Sequence, residues 1–310
     1  MKDRSANNSA TRSEVYIERT NAALDYIVGN LDGDLSLNRV ARVAQFSPHH
    51  FHRLFQTLVG ETLNQFVKRQ RLERALYLMS HAPNRSLTEI ALECGFSSSS
   101  DFSRSFKARF DTAPSDFDVA HFRVNRREEF EEMTASLEQG PQRARLPVGQ
   151  NPDGFKATLR DIPERTVAYI RIMDPYASSG VVDAASRLVS WAENHGHADG
   201  QWLGYQWDDP EIVAMKDCRY DVAVVIAEGA TDFQPEGEVG RYQFPPMRVA
   251  EIAISGDIQL ELRAIDWLYG TWLPQSGFVP DDQPAFEAWD SRPFAHGQEH
   301  FELRCQLPVK

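Results

Sequence analysis

The stretch SLNRVARVAQFS (36–47) recurs fifty residues later as SLTEIALECGFS (86–97). Identities fall at Ser36/Ser86, Leu37/Leu87, Ala41/Ala91, Phe46/Phe96 and Ser47/Ser97. Downstream the offset becomes 51, pairing Phe51 with Phe102, Arg53 with Arg104, Phe55 with Phe106 and Phe66 with Phe117. One residue is inserted at a turn and the register then holds, so one supersecondary unit occurs twice. In the first copy Leu37, Val40, Ala41 and Val43 share a helical face, and in the second Leu87, Ile90 and Ala91 do. Small alanines at 41 and 91 admit a second helix at close range. Ser47 and either Ser97 or Ser98 suit the N-cap of that second helix, and Pro48 suits its first turn.

The run GFSSSSDFSRSFKARF (95–110) is therefore the start of a helix rather than a loop. Its Phe102 and Phe106 point inward, and Arg104, Lys107 and Arg109 remain outside. Ser99 and Ser100 fall in the first turn, where short hydroxyls and free backbone N–H groups meet phosphates or base edges. Helix, tight turn and basic second helix together form the layout of a DNA-reading helix-turn-helix.

Charge divides the chain in the same place. Residues 1–127 hold 18 Lys+Arg against 14 Asp+Glu, whereas the whole chain has a net charge of −12. The first part suits a polyanion; the second repels one and attracts cations. Around residues 128–152 the sequence turns polar, with Gly and Pro, as a linker does. Beyond it β-rich runs alternate with two helical ones: KATLRDI, RTVAYIRI, YDVAVVIAE, MRVAEIAIS and HFELRCQLP are separated by VVDAASRLVSWAENHG and DIQLELRAIDWLYGTW. The order strand–helix–strand–strand fits twice, a weaker second repeat in which GYQWDDP (204–210) parallels FEAWDSRP (286–293). The expected fold is thus two domains, an all-α tandem helix-turn-helix of about seven helices followed by an α+β tandem βαββ domain. The expected bounds are a disordered tail at 1–14, a DNA-binding domain at 15–127, a linker at 128–152 and a second domain at 153–310.

Several classes are set aside. No apolar run reaches the ~18–20 residues of a membrane-spanning helix, and the N-terminal residues carry no apolar core of a secretory signal. With three scattered cysteines, a disulfide framework or zinc cluster is not expected, and the reading is cytoplasmic. His49 and His52 are only three apart on one helix, which makes no metal site, so neither metal nor cofactor is expected.

The motif SLTEIALECGFSSSSDFSRSFKARFDTAPSDF (86–117), with VARVAQFSPHHFHRLFQTLVGETLNQFVKRQRLERALYLM (40–79), resembles the DNA-binding domain of the AraC/XylS family of bacterial transcription regulators. The resemblance covers 15–123. It implies seven helices, two of them recognition helices entering successive major-groove segments of double-stranded DNA. The matching contact positions are His49, His52 and Arg53, then Ser99, Ser100 and Arg104, with Lys107 on the same outer face. Gln45 and Asp111 depart from the family's turn glycines; Asp tolerates the left-handed backbone.

From about 155 to 308 the chain resembles the gyrase-inhibitor-like (GyrI-like) ligand-binding domain. LGYQWDDPEIV, CRYDVAVVI and WLYGTWLPQSGF with the later PAFEAW carry the likeness, and the domain order resembles the Rob-like branch. This implies a concave groove and makes Glu287 the pocket glutamate, with Tyr205, Trp207, Tyr220, Trp272 and Phe286 as candidate walls. Strand alternation puts Phe286 on the face opposite Glu287, which makes Phe286 core if Glu287 faces the pocket. A carboxylate among aromatic rings is costly to bury alone, and a lipophilic cation relieves that cost. The reading is a ligand-responsive regulator, an activator rather than an enzyme, with DNA, a small effector and RNA polymerase as partners and no membrane contact. A GyrI-like hydrolase using Glu287 with Tyr220 or Tyr205 stays open as an alternative, as does a protein-interaction module.

Overall fold

A computed structural model describes residues 12–82, 84–135, 146–177, 180–230 and 233–310. Seven helices lead: α1 (Arg12–Val28), α2 (Leu37–Val43), α3 (Pro48–Val59), α4 (Leu63–His81), α5 (Leu87–Glu93), α6 (Ser99–Phe110) and α7 (Val119–Ala135). Each repeat forms the expected pair, α2–α3 and α5–α6. Ser47 caps α3 by accepting from the His50 N–H, and Ser98 caps α6 by accepting from the Asp101 N–H. Of the two capping candidates at 97 and 98, it is Ser98 that acts. Ser97 instead donates to the Asp101 carboxylate at 3.0 Å. Phe51, Phe55 and Phe66 fill the first core, and Phe102 and Phe106 the second, all at 1% exposure or less. Helix α4 joins the two units, and its capping box at Thr62 and Gln65 sets its start.

Helix α1 begins within the tail expected at 1–14, whose residues 1–11 lie outside the described ones. Helix α7 runs through the boundary expected at 127, because VAHFRVNRREEFEEM continues without a breaker. Of the linker expected at 128–152, residues 136–145 lie outside the described ones.

The second half is one antiparallel sheet of eight strands in the order β1-β6-β8-β7-β3-β4-β2-β5. The strands are β1 (Thr158–Ile162), β2 (Arg165–Met173), β3 (Trp202–Gln206), β4 (Arg219–Val225), β5 (Val239–Phe244), β6 (Met247–Gly256), β7 (Ala285–Trp289) and β8 (Phe301–Val309). The units β2-α8-β3-β4 and β6-α9-α10-β7-β8 are the two βαββ halves, with α8 at Gly180–His195, α9 at Ile258–Trp267 and α10 at Leu273–Ser276. A single π-helical turn, Leu268–Trp272, joins α9 to α10. The halves meet at the sheet centre, where β3 pairs with β7 and Gly204 lies opposite Glu287. Both helices pack on one sheet face over Trp202, Val222, Val224, Trp289 and Leu303. The other face buries Val167, Tyr169, Leu203, Tyr205, Phe244 and Phe286.

The halves of the chain are bolted together. Arg171, buried on β2, pairs with Asp221 of β4 at 2.7 Å and with Asp25 of α1 at 2.8 Å, and Tyr169 donates to the same Asp25 at 2.6 Å. Arg219 holds Asp208 through two charge-assisted bonds and donates to Gln70 of α4 at 2.9 Å. Arg123 and Arg127 of α7 reach Asp209, Glu211 and Asp266. The Asp-Asp-Pro turn between β3 and β4 is thus a docking element, and its Ile212 and Val213 complete the core of the second helical unit.

Gln45 holds a φ of 55° where the second repeat has Gly95 at 82°. Gln45→Gly relieves left-handed strain and is expected to raise stability by about 0.5–1 kcal/mol, read as a higher urea midpoint; an unchanged midpoint refutes the strain. Gly95→Ala is expected to fail in the opposite direction, because a Cβ there overlaps the Leu31 carbonyl. Asp25→Ala leaves the Arg171 guanidinium with one acid and is expected to cost about 3–5 kcal/mol in the same melt; a loss under about 1 kcal/mol, typical of an exposed pair, excludes the joint.

Candidate DNA-reading face and effector pocket

Helices α3 and α6 present equivalent outer faces. His49, His52 and Arg53 are exposed on α3; on α6 Ser100, Arg104 and Lys107 are exposed and Ser99 is half-buried. Arg104 has 75% of its side chain in solvent and only a 4.0 Å approach to Asp101. The face is therefore basic and uncommitted on the side away from the aromatic core. His50, by contrast, rests against Tyr16 and Phe46, which ties it to packing. Among the described residues no three His, Cys, Asp or Glu side chains gather as a metal site.

In the second half, pleating sorts the candidate pocket residues. Glu287 and Trp289 face the helices, while Phe286 and Ala288 face the other way. On β4, Tyr220 also faces the helices. Its hydroxyl crosses over β3 and donates to Glu287 Oε2 at 2.6 Å. The crossing needs Gly204 beneath it: a Cβ there would overlap both the Tyr220 hydroxyl and the Glu287 carboxylate. Glycine inside a strand normally weakens it, and that break in the pattern was the one sequence signal for this residue.

Glu287 lines a cavity of about 1480 Å³ with Tyr220, Trp289, Tyr176 and residues of α9. Burial pushes its carboxyl pKa up, and the hydrogen bond from the Tyr220 hydroxyl opposes this. Glu261, absent from the sequence-based candidates, is 4% exposed on α9 and lines the same cavity as Glu287. It reads in sequence as an ordinary first-turn helix acid, so only the packing of α9 on the sheet reveals it. Trp207 and Phe286 border the same cavity. Phe286 is itself core at 2% exposure, under the Arg165 guanidinium. Tyr205 is fully buried on the opposite sheet face against Phe244 and Phe286. Trp272, the last residue of the π-helical turn, stacks on Phe278. Neither Tyr205 nor Trp272 is brought to Glu287. The cavity continues between the halves, where Tyr77 and His81 of α4 and Arg123 of α7 form part of its wall. Burial and the nearby Arg123 lower the His81 pKa to about 3, so its ring is neutral where it meets Tyr269.

Comparison with known proteins agrees with this geometry. The helix-turn-helix domain family matches residues 40–119, and the GyrI-like small molecule binding domain family matches residues 156–310. A DNA gyrase inhibitor from Edwardsiella piscicida is 31% identical over 164 residues, which is 50% of this chain and 99% of that protein. The regulatory protein SoxS from Salmonella typhimurium is 30% identical over 94 residues, 30% of this chain and 87% of that one. A transcriptional regulator with an AraC-type DNA-binding domain from Chromobacterium violaceum, solved as a crystal structure, is 28% identical with a TM-score of 0.30, covering 32% of this chain and 87% of that one. The chain belongs to the GyrI-like small molecule binding family through its second half and to the AraC-type helix-turn-helix regulators through its first, and is a DNA-binding transcriptional regulator that senses a small ligand.

Proposed function

We propose that the effector is a lipophilic aromatic cation bound beside Glu287, and that its binding biases how the helix-turn-helix pair is presented to DNA and to RNA polymerase, with no catalytic turnover. One observation carries the effector class. Glu287 is a carboxyl on a cavity wall with aromatic neighbours and no Lys, Arg or His partner among the described residues. An uncompensated acid in such a place is costly, and a cation offsets it by charge pairing and by ring contacts worth about 0.5–2 kcal/mol each. The route to the DNA-binding half is short. Helix α9 carries Glu261 in the cavity, Asp266 on Arg127 of α7, and leads into Tyr269 against His81 of α4. A ligand that favours one position of α9 therefore favours one seating of α4 and α7, which is all a switch requires.

The DNA-contact set proposed is His49, His52 and Arg53 on α3 with Ser99, Ser100, Arg104 and Lys107 on α6. Two recognition helices in one chain suit a monomer on an asymmetric site. Its cytoplasmic location, as for any regulator of chromosomal DNA, belongs to the same proposal. The hydrolase alternative shares the Tyr220–Glu287 pair with the sensing reading, while Tyr205 lies across the sheet.

Arg104→Ala is expected to weaken specific DNA binding by about 1–3 kcal/mol with little change on non-specific DNA, measured by anisotropy at fixed salt. An equal loss on every sequence would show a phosphate contact only. Tetraphenylphosphonium is expected to quench tryptophan fluorescence saturably where neutral tetraphenylmethane does not, and Glu287→Gln is expected to erase that preference. A preference that survives in the variant removes Glu287 from the site; a time-dependent product from any tested compound would replace sensing with catalysis.

A further inference from the structure

Arg165 opens β2 and is 9% exposed. Its guanidinium lies over the Phe286 ring at 4.3 Å and over the Phe244 ring at 5.6 Å. Those rings offset its charge but offer its N–H groups no oxygen. Nε and Nη2 are sealed from solvent and have no acceptor among the described residues. A buried donor left without an acceptor is costly. Tyr205 packs against the same two rings, and its buried hydroxyl has no partner either.

Nε and Nη2 together are the edge by which this chain grips carboxylates. Arg171 holds Asp221 by that edge at 2.8 and 2.7 Å, Arg219 holds Asp208 at 2.7 and 2.7 Å, and Arg263 holds Asp153 at 2.8 and 2.8 Å. Two parallel N–H groups in one plane match the two oxygens of a carboxylate. Arg165 presents the same edge, and the acids in register with Tyr205 and Phe286 are committed elsewhere. Asp221 serves Arg171 and the Trp207 ring N–H, and Glu251 serves Gln306, Arg160 and Arg304.

This sheet face is an inside. β5 is an edge strand beside β2, and β6 lies next to the opposite edge, yet Pro245 and Pro246 alone separate β5 from β6. The sheet therefore curls, and Phe244 meets Phe286 with ring centroids 5.0 Å apart. A ligand reaching the Arg165 edge has to pass between these rings, which limits it to a small molecule. One negative charge matches the one guanidinium; a second would be left unpaired among the rings. We propose that Arg165 is a binding site for the carboxylate of a small organic acid, on the sheet face opposite the effector cavity. The two carboxylate oxygens accept from Nε and Nη2, and the carbon skeleton lies among Phe244, Phe286 and Tyr205. β7 turns Phe286 to this site and Glu287 to the cavity, so ligands of opposite charge address one strand from its two faces. The site does not depend on the cation reading, and either can fail alone.

The test is thermal unfolding of the full chain at neutral pH, in acetate or benzoate against chloride at equal ionic strength. Acetamide and benzamide, equal in shape and without charge, are the neutral controls. A ligand that binds only the folded chain raises the melting temperature as its concentration passes Kd. Acetate or benzoate at about ten times its Kd is expected to raise it by about 2–4 °C, where chloride and the amides do not. Arg165→Met keeps an unbranched apolar stem against the rings and is expected to lose that rise. Arg165→Lys keeps the charge without the paired N–H groups and is expected to lose most of it. An equal rise in wild type and Arg165→Met, or no rise above chloride in the wild type, overturns the proposal. If Arg165→Met does not fold, judged by far-ultraviolet circular dichroism, saturation-transfer NMR of benzoate on wild type and Arg165→Lys decides. A signal weakened in Arg165→Lys supports the site, and equal signals overturn it.

Discussion

Arg171, a guanidinium buried on β2, pairs with one acid from each half of the chain. Asp221 comes from the neighbouring strand and Asp25 from the first helix, with Tyr169 donating to the same Asp25. Taking a charge out of water is costly, and partners in place offset that cost. This geometry is therefore satisfied in one docking of helices on sheet and leaves an unpaired charge in others. Arg219 repeats the device with Asp208 and Gln70, and Arg123 and Arg127 extend it along α7. Such charge-matched joints give specificity of arrangement rather than large net stability. That suits a protein whose two halves must communicate.

That docking gives the cavity its position. Its floor is the junction of the two βαββ halves, where Gly204 lets Tyr220 reach Glu287. Its far wall is the helical half itself, through Tyr77, His81 and Arg123. Helix α9 touches both, by Glu261 at one end and Asp266 at the other. A change in charge on the cavity floor is thus one helix away from the elements that set the spacing of α3 and α6. The π-helical turn after α9 lies at the same joint, a place where a helix accommodates an extra residue and where such turns commonly accompany function.

Much of the helical half was legible beforehand because its evidence is local. Ser47 and Pro48 announce a helix start, Phe102 and Phe106 announce its inner face, and the offset of 50 announces that the unit recurs. The sheet was less legible. KATLRDI and MRVAEIAIS show their strands by apolar and β-branched runs, whereas β5, VGRYQF, is polar enough to pass as loop and is made a strand by pairing with β2. The DDP motif was visible, but its use was not: Asp208 and Asp209 read as turn residues, yet Asp208 holds Arg219 on the next strand and Asp209 pairs with Arg123 of the distant α7.

The residues alone determined the tandem helix-turn-helix, the exposed basic face with Arg53 and Arg104, and the alternation that sets Glu287 opposite Phe286, because each depends on spacing within one element. Only the tertiary structure decided which aromatic rings meet Glu287. Tyr220 reaches it across a glycine, Tyr205 is sealed on the other sheet face, and Trp272 is stacked on Phe278 instead. It also brought Glu261 of α9 into the same cavity as Glu287, 26 residues on, a meeting that neither local sequence foretells. Spacing along a chain states which face a side chain takes; which partner waits on that face is settled by how sheet, helices and the other half of the molecule pack.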